Sequence, residues 1–124
     1  MGRLKSNFLS FALQFGDVVD ALYSWRNSYA FPQNGRLVKN VLIDMGVAVG
    51  RELVEVFEVK TSAARSYVYA AIGQLMVHGT SRECQRVIVL PEKERIASGL
   101  LEALHRLNIK VMRFKLDEKN ARIL

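Results

Sequence analysis

Residues 42–60, Leu-Ile-Asp-Met-Gly-Val-Ala-Val-Gly-Arg-Glu-Leu-Val-Glu-Val-Phe-Glu-Val-Lys, constrain the fold more than any other stretch of the chain. Two β-rich runs flank Gly50-Arg51-Glu52, which reads as the tight turn of a hairpin. Side chains on an extended strand alternate between faces, so Glu58 and Lys60 share one face while Val59 points away. If Val49 pairs with Leu53, the ladder sets Asp44 opposite Glu58 and gathers three polar groups on one face. A two-residue turn would instead put Phe57 opposite Asp44, and both registers stay open. In the first register the same face carries Gly46, Ala48, Val54 and Val56, with the two small residues leaving room above the carboxylates. Acid-x-lysine triplets are common on exposed strands, where such charges are simply solvated. Here Val54, Val56, Phe57 and Val59 mark a strand covered on both faces, where unpaired ionised groups are costly. A bound cation would account for an Asp, a Glu and a Lys buried together.

The 124 residues suit a single domain, 1–124, large enough to sustain its own core. Lys and Arg number 18 against 12 Asp and Glu, a formal charge of +6 that suits a polyanionic partner such as nucleic acid; a merely basic domain fits the charge equally well. Cys84 is the lone cysteine, which excludes an internal disulfide, and with only His78 and His105 beside it there is no zinc set. No run approaches the roughly 18 apolar residues of a membrane span, and no signal-peptide pattern opens the chain. A cytoplasmic protein with no membrane partner is expected. Repeats, low-complexity tracts and linkers are not evident. Met-Gly-Arg-Leu-Lys runs straight into helical pattern, which fits either a short natural protein or a domain cut from a longer one.

From Leu4 to Tyr29, Phe8, Phe11, Ala12, Phe15, Val18, Val19, Leu22 and Trp25 recur at helical steps, with Gly16 a place for a bend. Residues 31–35 form a loop, and Leu37–Val49 reads as one long strand or two short ones. Residues 53–60 form the next strand. A helix capped by Thr61 or Ser62 then runs to about His78 and stops at Gly79. Arg86–Leu90 reads as a buried strand, Pro91 to about Leu107 as an amphipathic helix and Ile109–Phe114 as a last strand. The fold class is α/β, with a central mixed sheet flanked by helices on both sides and a late parallel β-α-β unit.

Over most of its length the chain resembles the PD-(D/E)XK nuclease superfamily, which includes many restriction endonucleases, junction resolvases and RecB-type nuclease domains. Asp44 matches the isolated acid of the family's second core strand, Glu58-Val59-Lys60 the (D/E)XK triplet, and Tyr67–His78 the helix that follows. Ile72-Gly73-Gln74-Leu75 is similar to the glutamine motif of the RecB-like branches, with His78 where those often carry Tyr. Asp17 resembles the extra amino-terminal acid of the resolvase-like branches, and Asp20 competes for that place. Ile43 stands where the name-giving proline would be. The resemblance implies a restriction endonuclease-like αβββαβ core and Mg²⁺-dependent hydrolysis of DNA phosphodiesters, restriction- or repair-like, with Mn²⁺ as a substitute. It implies Asp44, Glu58, Lys60 and Gln74 as catalytic residues, and Asp44, Glu58, the Val59 backbone carbonyl and Asp17 as metal ligands.

The residue types alone support the same chemistry. Two carboxylates and the Val59 carbonyl offer oxygen ligands to a hard cation, which can acidify a bound water and offset charge on a phosphoryl oxygen. Lys60 would donate to the attacking water or to a phosphate oxygen as a compact charge. Lys39, Arg65, Arg82 and Arg86 are candidate phosphate contacts, each also acceptable as plain surface. Tyr67, Tyr69 and Trp25 are core aromatics by their helical spacing before they are stacking platforms. His78 and His105 read as surface residues, and Lys115–Arg122 as a solvated or frayed tail. RNA is open alongside DNA, and so is a homodimer that widens the footprint. The runner-up function is a non-catalytic nucleic-acid-binding module of the same fold within a larger assembly. A third reading is an unrelated α/β binding protein whose acids are structural.

Overall fold

The two β-rich runs pair as expected and seed a mixed sheet, seen in a computed structural model that describes residues 2–117 and 120–124, with side chains from residue 15 onward. Among the described residues the order is α1 (Gly2–Asn27), β1 (Gly35–Val38), β2 (Met45–Val49), β3 (Glu52–Val59), α2 (Arg65–His78), β4 (Gln85–Pro91), α3 (Ser98–Arg106), β5 (Ile109–Leu116) and β6 (Ala121–Ile123). The strands lie in sequence order across one sheet. β1, β2 and β3 form an antiparallel meander, β3, β4 and β5 run parallel, and β6 returns antiparallel to β5. Parallel neighbours need long crossovers, which α2 and α3 supply.

The two faces of the sheet follow from strand alternation. Val56 and Ile88 join Val68, Ala71 and Leu75 of α2 and Leu100 and Leu104 of α3 in one core. Phe57, Val59, Val87 and Val89 point the other way, onto Val18, Val19 and Leu22 of α1. β4 is buried at four successive positions, as expected of a strand covered on both sides. α1 runs unbroken through Gly16. The side chains of Phe8, Phe11 and Ala12, assigned from the sequence to its apolar face, lie outside the described residues. No described helix is long and apolar enough to cross a membrane.

Of the two readings of Leu37–Val49, the pair of short strands is the one observed, and the intervening Lys39–Asp44 segment is irregular. Three local expectations need correction. Neither Thr61 nor Ser62 caps α2. Its N-cap position is Ala64, while Ser62 Oγ accepts from Ala64 N at 3.0 Å and donates to Glu94 Oε1 at 3.0 Å. Pro91 ends β4 instead of opening a helix, and α3 starts only at Ser98. The reason is long-range: Arg113 Nη1 donates to the Pro91 and Glu94 carbonyls at 2.8 Å each, holding residues 91–94 as a turn against β5. The charged carboxyl-terminal stretch is not a frayed tail where it is described. Ala121–Ile123 pairs with Leu116–Phe114, and Ala121 and Ile123 pack toward α1, so alternation hides an inward apolar pair behind outward charge. Within that stretch, residues 118 and 119 lie outside the described residues.

Arg26, near the end of α1, is buried at 5% exposure and grips Glu55 of β3 through both ends of its fork, Nε to Oε1 at 2.8 Å and Nη2 to Oε2 at 2.9 Å. Its Nη1 also donates to the Tyr29 and Ala30 carbonyls, and its guanidinium lies 4.5 Å from the Phe31 ring centroid. Planar two-point pairing of this kind fixes helix against strand. Arg26→Ala strands a partly buried carboxylate and is expected to lower the unfolding free energy by up to about 3–5 kcal/mol, whereas the double change Arg26→Met with Glu55→Leu is expected to restore most of it. Urea titration of the three proteins checks both statements.

Candidate active site

The β2–β3 hairpin turns through Gly50 and Arg51, with Val49 opposite Glu52 and Ala48 opposite Leu53. Gly50 has φ +63°, which glycine adopts without a side-chain penalty. Kept to its end, a two-residue turn would bring Phe57 opposite Asp44. The register instead shifts between Val47 and Ala48, because Val54 is bulged out, and continues as Val47–Glu55, Gly46–Val56 and Met45–Phe57. One step further sets Asp44 opposite Glu58. Both halves of the sequence ambiguity are resolved: the turn is the short one, and the bulge recovers the facing carboxylates.

Asp44 closes the ladder with its side chain, Oδ2 accepting from Val59 N at 2.8 Å. Lys60 lies one residue past β3, and its backbone N–H donates to the Val89 carbonyl at 3.0 Å, which carries the strand geometry through the triplet. Val59, whose carbonyl was the expected third ligand, ends the strand between the two. The space above this face is not open over Gly46, contrary to the sequence expectation. A Cβ there would stand 2.8 Å from Leu53 Cδ2 and 2.9 Å from Ile43 Cδ1, so these two side chains fill the space and would have to shift for any larger residue.

Glu58 is 2% exposed, and its Oε1 has no hydrogen-bond partner among the described residues. Burial first, and then the neighbouring Asp44 charge, push its carboxyl up to about 7, against the opposing pull of Lys60. A shift of this size with a named charge partner is the kind found at functional sites and in structural ion pairs alike. Tyr23 of α1 senses the same centre: burial and the Asp44 charge raise its phenol above the usual range, and its OH donates to the Val38 carbonyl at 3.3 Å.

Beside Asp44 opens a cleft of about 190 Å³ between α1 and the 39–44 connection, with Gly16, Asp20, Lys39 and Asn40 among its walls. Lys39 Nζ sits 5.7 Å from the Tyr23 ring centroid, over the same cleft. Of the two competing amino-terminal acids, Asp20 lines it, whereas Asp17 is exposed and does not. Gln74 is half-buried on α2 with its Oε1 unpartnered. Arg65 is exposed and donates to Tyr69 OH at 3.0 Å, and Arg82 is exposed in the α2–β4 loop. The Arg86 guanidinium is turned onto the loop carbonyls of Gly79, Ser81 and Cys84, where it ties α2 to β4. Tyr23 and Asn40 were missed from the sequence. Gly16, Asp20 and Tyr23 fall at helical i, i+4, i+7 spacing on one face of α1, and that was the available signal.

Among the described residues no three His, Cys, Asp or Glu side chains converge, so an all-protein metal cage is absent there. A facing Asp–Glu pair with one buried, unpartnered oxygen fits a small hard cation, which needs only one or two carboxylates and keeps waters for the rest. The chain matches no family model, no curated protein and no solved structure.

Glu58 holds its proton more tightly folded, near 7, than at the ordinary 4.5 of an unfolded carboxyl. Its contribution to stability is therefore full below about pH 4.5 and is lost as pH rises through about 7, a loss of roughly 3 kcal/mol. Glu58→Gln keeps the shape without the charge. In thermal melts without divalent ions it is expected to match the wild type near pH 4.5 and to exceed it above about pH 7. Equal melting at both ends would contradict the burial of an ionisable carboxyl.

Proposed function

We propose that this chain is a Mg²⁺-dependent phosphodiesterase acting on DNA, with Mn²⁺ as a competent substitute, built on a restriction endonuclease-like core. The observation that carries the reading is the buried Glu58 oxygen, unpartnered and facing Asp44. The order α1-β1-β2-β3-α2-β4 supports it, because it runs αβββαβ with one acid directly before the second strand and the other on the third. Asp44 and Glu58 would hold the cation, with the Val59 carbonyl as a further oxygen. When bound, the cation supplies positive charge at the phosphoryl oxygen and lowers the pKa of the attacking water.

The remaining work belongs to the protein. Lys60 donates to the water or to a phosphate oxygen as charge accumulates in the in-line transition state. Lys39, which lines the cleft together with Asp44, is placed to hold a neighbouring phosphate and so to fix the backbone's register. Water adds to phosphorus, the bond to the leaving deoxyribose oxygen breaks with that oxygen taking a proton from solvent, and the water's proton passes to solvent or to a carboxylate. The net charge of +6 favours a polyanion's approach and makes binding salt-dependent. Asp20 approaches the same cleft and is a better placed auxiliary acid than Asp17.

Supercoiled plasmid incubated with the protein and Mg²⁺ is expected to be nicked. Asp44→Ala, Glu58→Ala and Lys60→Ala are each expected to lower the rate by roughly 10²–10³ with the fold retained. Chelation of the metal should abolish nicking. Plasmid bound and left intact would replace catalysis with a binding role, and equal nicking by all variants would trace the activity to a contaminant.

A further inference from the structure

The lip of the cleft carries an apolar tip with no partner among the described residues. Val41 is 100% exposed and Leu42 57% exposed, at the turn of the 39–44 connection and directly before Ile43 and Asp44. Single exposed apolar residues are ordinary, and this pair differs in how it is held. Asn40 Oδ1 accepts from Leu42 N at 2.7 Å and from Ile43 N at 3.2 Å, which pins the tip in one shape. On one side Tyr23 OH anchors the Val38 carbonyl, and on the other Ile43 is buried at 4% exposure and packs over Gly46. The segment is tied at both ends and pushed outward in the middle. Its inner side, Lys39, Asn40, Ile43 and Asp44, forms a wall of the cleft.

We infer that Val41 and Leu42 form a wedge that enters a stacked base step of double-stranded DNA and parts it beside the scissile phosphate. The inference rests on the nuclease reading and adds the substrate feature it acts on. Apolar side chains inserted between bases, with basic residues next to them on the backbone, are an established way of opening a duplex. Lys39 stands two residues from Val41 and over the carboxylate cleft, so a phosphate held there would bring its adjoining bases to the tip. Tyr67, Tyr69, Met76 and Val77 on α2 and Leu101 on α3 are exposed as well, the two tyrosines contrary to their expected place in the core, but none of them stands on the 39–44 connection that walls the cleft.

The test uses the full chain and oligonucleotides carrying 2-aminopurine, whose fluorescence rises on unstacking, with Ca²⁺ in place of Mg²⁺ to hold back cleavage. The wild type is expected to raise the signal of a paired duplex, and a Val41→Ser, Leu42→Ser double variant is expected not to. In Mg²⁺ the variant should cut the duplex about tenfold more slowly while losing less than about threefold on a single strand, where no step has to be opened. Val41→Ser alone carries the comparison if the double variant melts lower. A wild type that cuts the duplex with no rise in signal, or variants that cut both substrates like the wild type, would overturn the wedge and leave the nuclease reading standing. A wild type that neither binds nor cuts DNA would end both. If the variants change sedimentation while substrate preference stays fixed, the tip meets a second copy of the chain and not a base step.

Discussion

An ionisable carboxyl enclosed between a sheet and its helices has to be neutralised, and Glu58 is the residue on which this constraint falls. Its place is set by the strand, whose alternation gives Phe57 and Val59 to the α1 side and leaves position 58 facing the α2 side. The Val54 bulge then decides what it meets. Without that extra residue, the short Gly50–Arg51 turn would set Phe57 against Asp44 and leave the two acids out of register.

Glu55, three residues earlier on the same strand, shows what a structural acid looks like in this fold. Its carboxylate receives two hydrogen bonds from Arg26, and charge is balanced within the protein. Glu58 is buried more deeply, faces a second acid and keeps an oxygen with no donor. Lys60 offsets only part of that charge. Two acids on one strand thus have opposite electrostatic settings, one closed by a guanidinium and one left for a ligand or a proton. The neighbouring cleft, with Lys39, Asp20 and Asn40 among its walls, reaches Asp44, the partner that Glu58 faces.

Where periodicity and local chemistry agree, the sequence was readable: α1, β3, α2, β4 and β5 fall close to where apolar spacing and the Gly79 stop place them. The facing of Asp44 and Glu58 was legible only as one of two registers, because a bulge leaves no mark in the amino-acid pattern. The errors share one cause. Pro91 was taken as a helix start because the carbonyl contacts of Arg113, 22 residues away from Pro91, cannot be read locally. The Arg26–Glu55 pair, whose partners stand 29 positions apart, was hidden in the same way. The carboxyl-terminal strand was obscured by its charge, although Ala121 and Ile123 alternate inward. Asp17 and Asp20 sit one turn apart on α1, and only the packing of the helix on the sheet chose which one borders the cleft.

The central claim is that the Asp44–Glu58 pair is a cation site whose proton is exchanged for metal. Titrating Mn²⁺ calorimetrically into the protein near pH 6.5, in buffers of different ionisation heat, tests it most directly. The expected result is one site per chain, with proton release on binding that disappears in Glu58→Gln. Binding that ignores the Glu58→Gln change, or no binding at all, would contradict the account.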